Sequence, residues 1–119
     1  MKLLFKLLIS ITMLIVAANA QTIKVGTNAT YPPFEFVNEQ NQITGFDMDL
    51  MAEIAKKVGF KFEIVNISFD SLIPALKAGK IDIIAAAMSA TPERLKAVDF
   101  SKPYYHTMNL FIKRADNKE

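Results

Sequence analysis

Two hydrophobic periods run along this chain, one of two residues and one of three to four. The two-residue period predicts short strands at residues 22–27 (TIKVGT), 34–37 (FEFV), 61–67 (KFEIVNI) and 109–114 (NLFIKR). Residues 81–86 (IDIIAA) are small and apolar, the pattern of a central strand covered on both faces. Between the strands, Gly45 opens a helix that Asp47 can cap, and Phe46, Leu50, Ile54 and Val58 recur every four residues as one apolar stripe. Gly59 can end it in a left-handed conformation. Asp70 or Ser71 caps a second helix, which tolerates Pro74 in a first turn whose N–H groups have no helical partner, and Gly79 ends it. Thr91-Pro92 starts a third helix. Tyr31-Pro32-Pro33 imposes an extended, turning backbone, and residues 38–42 (NEQNQ) form a polar turn. Strands alternating with helices predict a parallel α/β sheet.

The first 20 residues, MKLLFKLLISITMLIVAANA, follow neither period. Lys2 and Lys6 precede an apolar run that ends in Ala18-Asn19-Ala20, the pattern of a secretory signal peptide cut after Ala20. A retained membrane anchor is the alternative, but the apolar core is short for a span, which needs roughly 20 apolar residues. Removing the leader takes Lys+Arg from 14 to 12, against 12 Asp+Glu, so the rest of the chain is neutral. Nothing in that balance asks for nucleic acid or an anionic membrane. With no cysteine, the chain has no disulfide staple, zinc thiolate or thiol nucleophile. A chain of 119 residues allows one domain at most, with a modest core.

One residue runs against local chemistry. Thr91 suits the N-cap and Pro92 the first helical position, and the third position after the cap favours Glu. It holds Arg94. A cation at the positive end of a helix costs roughly 0.3–1 kcal/mol, which an anion bound there would offset. Free N–H groups, the Ser89 and Thr91 hydroxyls and a forked guanidinium would together hold a carboxylate or phosphate. Pairing of Arg94 with a protein carboxylate, Asp99 or Glu93, is the competing reading.

Three segments carry a resemblance: IKVGTNATYPPFEF (23–36), GFDMDLMAEIAKKVG (45–59) and SLIPALKAGKIDIIAAAMSATPERLKAVDFSKPYY (71–105). Together with the leader, and in this order, they are similar to the N-terminal lobe of the periplasmic polar-amino-acid-binding proteins of ABC importers, solute-binding family 3. The resemblance implies an α/β fold of the periplasmic binding protein-like II type, with residues 21–105 as most of lobe 1 and 106–119 as the first hinge crossing and strand of a second lobe that is missing. It implies a site made of Asn28, Tyr31, Phe69, Ala87, Met88, Ser89, Thr91 and Arg94. Arg94 would fork onto the ligand α-carboxylate, Ser89 would touch the carboxylate or ammonium, and Ala87 would offer its carbonyl to the ammonium. Tyr31 and Phe69 would sandwich the ligand side chain; from residue type alone, ordinary core packing explains both. Asn28 stands where relatives often have Asp, which points away from a cationic ligand and toward a neutral or acidic polar side chain.

The implied function is capture of a polar L-amino acid in the periplasm for an inner-membrane ABC permease, with no cofactor or metal and no transmembrane segment after leader cleavage. An incomplete lobe leaves the ligand in contact with water, so affinity is expected to be millimolar or poorer. Three other functions compete: a cyclohexadienyl dehydratase-like enzyme, an extracellular sensor lobe, and a fragment that binds nothing. Against the enzyme stands the single histidine, His106, which the pattern places at the hinge rather than in the site.

Overall fold

The computed structural model describes residues 22–108 and 110–116; the leader reading and Asn109 lie outside them. Its main sheet is parallel and three-stranded, in the order β5-β1-β6, with β1 Ile23–Thr27, β5 Phe62–Asn66 and β6 Ile83–Ile84. A second small antiparallel sheet joins β2 Thr30–Tyr31, β3 Glu35–Val37 and β4 Ile43–Thr44. Among the described residues there are three helices: α1 Phe46–Val58, α2 Phe69–Lys77 and the single turn α3 Pro92–Leu95.

Period-two alternation in the main sheet sorts its side chains into two cores. On one face Val25, with Ile23, Phe62 and Ile64, packs under Met48, Met51 and Ala85. On the other, Leu72, Ile81 and Ala86 pack with Val65, Ile67 and Leu76. Gly26 lies in β1 on that second side, where a Cβ would overlap the Ile81 side chain. α1 therefore covers one face and α2 the other.

Several expectations are corrected. Strand 81–86 shrinks to two residues and lies at the edge, while β1 is central; apolarity on both faces reports what covers a strand above and below, not what flanks it. The stripe Phe46, Leu50, Ile54, Val58 is not the buried face of α1. Phe46 is 41% and Val58 71% exposed, and the buried set is Asp47, Met48, Met51 and Ala55. Steps of four advance 40° each round a 3.6-residue helix, so a row made only of such steps winds off the core, whereas 48, 51 and 55 stay together. Asp47 does not cap α1, whose N-cap is Gly45 without a side-chain bond. Ser68, not Asp70 or Ser71, is the N-cap of α2, which places Pro74 at the sixth helical residue rather than in the first turn. The helix dispenses there with one N–H bond. Residues 110–114 form no strand among the described residues, and Phe111 and Ile112 are fully exposed.

The glycine stops hold. Gly59 is left-handed at φ 88°. Gly79, at φ 67°, donates to Leu76, and the next residue, Lys80, donates to Ala75, a Schellman closure of α2.

Candidate functional site

Chain order brings the ends of β1 and β6 side by side, and the loops that leave them carry most of the expected site. Residues 87–90 leave β6 as an irregular loop that begins with Ala87 at φ 44°, a left-handed conformation rare for a residue with a Cβ. Thr91 then caps α3, its hydroxyl accepting the Arg94 amide at 3.3 Å. A helix of one turn carries only a small dipole, so a cation at its start costs little.

The Arg94 guanidinium pairs with neither Asp99 nor Glu93. Its Nη1 donates to the Ser89 carbonyl at 3.0 Å, and its carbon lies 5.1 Å from the centre of the Phe69 ring. The only salt bridge among the described residues is Arg114–Asp116, at the far end of the chain. Arg94 is thus fixed by a neutral carbonyl and an aromatic face, with donors left to fork onto an anion. The bond to Ser89 sets the guanidinium beside a residue that lines a cavity of about 330 Å3.

That cavity gathers Tyr31, Ala87, Met88 and Ser89 from the expected set. Asn28, Phe69, Thr91 and Arg94 do not line it. Phe69 carries the guanidinium instead of facing Tyr31 across the cavity. Asn28 is committed within the protein: its amide nitrogen donates to the Ile67 carbonyl at 3.1 Å, and its oxygen accepts the Thr30 hydroxyl at 2.8 Å. The extended segment 100–107 supplies the other wall, and with it His106, so the histidine expected away from the site borders it. Five rings pack together at this wall: Tyr31 stacks on Phe34 at 5.6 Å, Tyr105 meets Phe34 edge-on at 4.9 Å, and Phe46, outside the cavity lining, contacts Phe34, Tyr104 and Tyr105. A larger groove of about 410 Å3 runs along β6 between Leu50, Ile54, Ile83 and Val98, but its lining has no cation to receive a carboxylate.

Two buried acids behind the loop are absent from the sequence-based site. Glu35 and Asp47 are both almost fully buried. Asp47 Oδ2 accepts the Ala87 amide at 2.6 Å and the Tyr104 hydroxyl at 2.9 Å. Asp47 Oδ1 and Glu35 Oε2 have no hydrogen-bond partner among the described residues, so the two acids meet in a site short of donors. Burial first, then the Asp47 charge and the bond to it, push the Glu35 carboxyl up to about 8. Partial burial of its hydroxyl, then the Asp47 carboxylate and the bond to it, raise Tyr104 above its usual range, although the residue as a whole is exposed. The signal for this pair was present in the sequence: Asp47 shares the helix face of Met48, Met51 and Ala55.

The sign of the resulting pH dependence is definite. Glu35 titrates near 4.5 when unfolded and near 8 when folded, so between those values the folded chain binds more protons. Its contribution to stability is fully present below about 4.5, falls as pH rises toward 8 and is flat above. We expect the urea midpoint to drop from pH 5.5 to pH 8, with the unfolding free energy falling by no more than about 1.4 kcal/mol per pH unit for one proton, and Glu35→Gln to flatten that slope. Parallel pH profiles for the two proteins would remove the proton from Glu35.

A sequence model described as bacterial extracellular solute-binding proteins, family 3, matches residues 23–119. The probable histidine-binding protein of Campylobacter jejuni is 56% identical over 96 residues, which cover 81% of this chain and 37% of that protein. ABC transporter arginine-binding protein 1 of Escherichia coli K12 is 43% identical over 100 residues, 84% of this chain and 41% of that protein. The chain spans about two fifths of the length of these curated relatives. Among solved structures, the arginine-bound form of domain 1 from TmArgBP, the arginine-binding protein of T. maritima, superposes with TM-score 0.69 at 50% identity, covering 71% of this chain and 67% of that one. An ancestral arginine-binding protein bound to arginine gives TM-score 0.71 at 51% identity, over 73% of this chain and 39% of that one.

Proposed function

The chain belongs to the bacterial extracellular solute-binding proteins, family 3, and from that premise we propose that it binds a polar L-α-amino acid through its α-carboxylate and serves an ABC-type importer. The observation that carries this reading is the Arg94 guanidinium. It is held beside Ser89 by a carbonyl and a ring, with no carboxylate of the described chain on it. A zwitterion needs a forked cation at one end and acceptors at the other. Arg94 and Ser89 meet the carboxylate, and the carbonyl of the left-handed Ala87 receives the ammonium.

Basic side chains come first in the ligand class. The relatives above carry arginine and histidine in their names, and because Asn28 is engaged by Ile67 and Thr30, its neutral amide is a poor guide to the ligand's charge. We read residues 1–20 as an export signal cut after Ala20, residues 21–105 as most of one lobe and 106–119 as the crossing toward a second. The site of action is the periplasm and the macromolecular partner an inner-membrane permease. Among the described residues no helix is long and apolar enough to cross a membrane.

Amide NMR titrations of the full chain with arginine, histidine, glutamine and glutamate test the proposal. We expect shifts at Ser89, Ala90 and Arg94 that saturate in the millimolar range, since one face of the ligand stays wet. Agmatine, which is arginine without its carboxylate, should leave those amides in place. No response to any of the four amino acids, or an equal response to agmatine, overturns the reading.

A further inference from the structure

We propose that Asp47 is the positioning residue of the binding loop: one buried carboxylate oxygen holds both the Ala87 amide and the Tyr104 hydroxyl, so a single anion sets the loop's turn and the wall of the cavity facing it. The ligand role of that turn rests on the reading of residues 87–94 given above; the geometry of the anchor does not.

Ala87 adopts φ 44°, which an alanine does not hold without outside support. Its N–H donates to Asp47 Oδ2 at 2.6 Å, a close contact for an amide donor on a carboxylate. The same oxygen accepts Tyr104 at 2.9 Å, and the Tyr104 ring lies on Phe46, one residue before Asp47, at 6.1 Å and 25°. Asp47 itself is rigidly placed. It is fully buried, and its own N–H donates to the Phe34 carbonyl at 2.9 Å. With its N–H drawn inward to Asp47, the Ala87 peptide has no described donor on its carbonyl, the group expected to meet an ammonium. Two donors on one oxygen compete for its charge, so loosening Tyr104 tightens the Ala87 bond, and the loop and the segment after residue 100 are energetically linked through Asp47.

The test uses the full chain, arginine as probe, and the variants Asp47→Asn and Tyr104→Phe. In the wild type the Ala87 amide proton should resonate far downfield and exchange slowly with water. Asp47→Asn should move it upfield and weaken arginine binding about tenfold, the worth of one charge-assisted bond, although Ser89 and Arg94 are untouched. Tyr104→Phe should move the same proton further downfield, because the oxygen has one donor fewer. An Ala87 proton unmoved in folded Asp47→Asn, or arginine bound as tightly as by the wild type, overturns the proposal. Should Asp47→Asn fail to fold, Tyr104→Phe decides, and an unmoved Ala87 proton there also overturns it. If the wild type binds neither arginine nor histidine, the ligand reading falls, and the Ala87 response still shows whether Asp47 sets the loop.

Discussion

Replacing Arg94 with alanine is expected to weaken amino-acid binding by roughly thirtyfold or more, enough to remove a millimolar interaction from measurement, while leaving the fold intact. The size follows from what the guanidinium would contribute: a bond to a charged acceptor is worth about 1.5–3 kcal/mol, and a forked pair more than one such bond. The small cost to folding follows from its surroundings. Arg94 gives the protein one bond to the Ser89 carbonyl and a contact with the Phe69 face, and a partly exposed cation–π contact is worth about 0.5–1 kcal/mol. Arg94→Lys separates charge from shape. Lysine keeps the cation but not the planar fork, so we expect an affinity between those of wild type and alanine. Calorimetry or amide titration with arginine, beside urea melts of all three proteins, reads both quantities. Wild-type affinity in a folded Arg94→Ala would mean that the carboxylate binds elsewhere and that the site assignment is wrong.

Gly45→Ala should cost about 3 kcal/mol or more of stability, which in a lobe this small leaves much of the chain unfolded. Gly45 sits at φ 126°, a conformation essentially closed to residues with a side chain and costing of order 1–3 kcal/mol when forced. An added Cβ would also overlap the backbone carbonyl of Phe34, which cannot rotate away as a flexible side chain could. The neighbours are not neutral ones. The Pro33 and Phe34 carbonyls accept the Phe46 and Asp47 amides at 3.0 and 2.9 Å, so a shift here displaces the start of α1 and with it the carboxylate that holds Ala87. Gly59→Ala is the matched control. It too has positive φ, 88°, but nothing lies within 4 Å of its would-be Cβ, and its cost should be near 1 kcal/mol. Equal urea midpoints for the two variants would show that the close approach of Gly45 to Phe34 does not matter.

The α/β class, β1 and β5, the glycine stops at 59 and 79, the Thr91 cap and the identity of Arg94 as an anomaly were all legible in the chain itself. Each is a preference that a backbone expresses over a few residues: a left-handed stop, a hydroxyl cap, a period of two. Tertiary structure alone decided three other things. It placed β1 rather than residues 81–86 at the centre of the sheet, because strand order depends on which crossovers pack and not on how apolar a strand is. It turned Asp47 from a helix cap into the acceptor of groups 40 and 57 residues away, since a buried anion goes to whichever donors the packing brings within reach. It gave the Arg94 guanidinium a carbonyl and a ring in place of Asp99 or Glu93, a choice between partners that sequence spacing leaves open and only the path of the loop resolves.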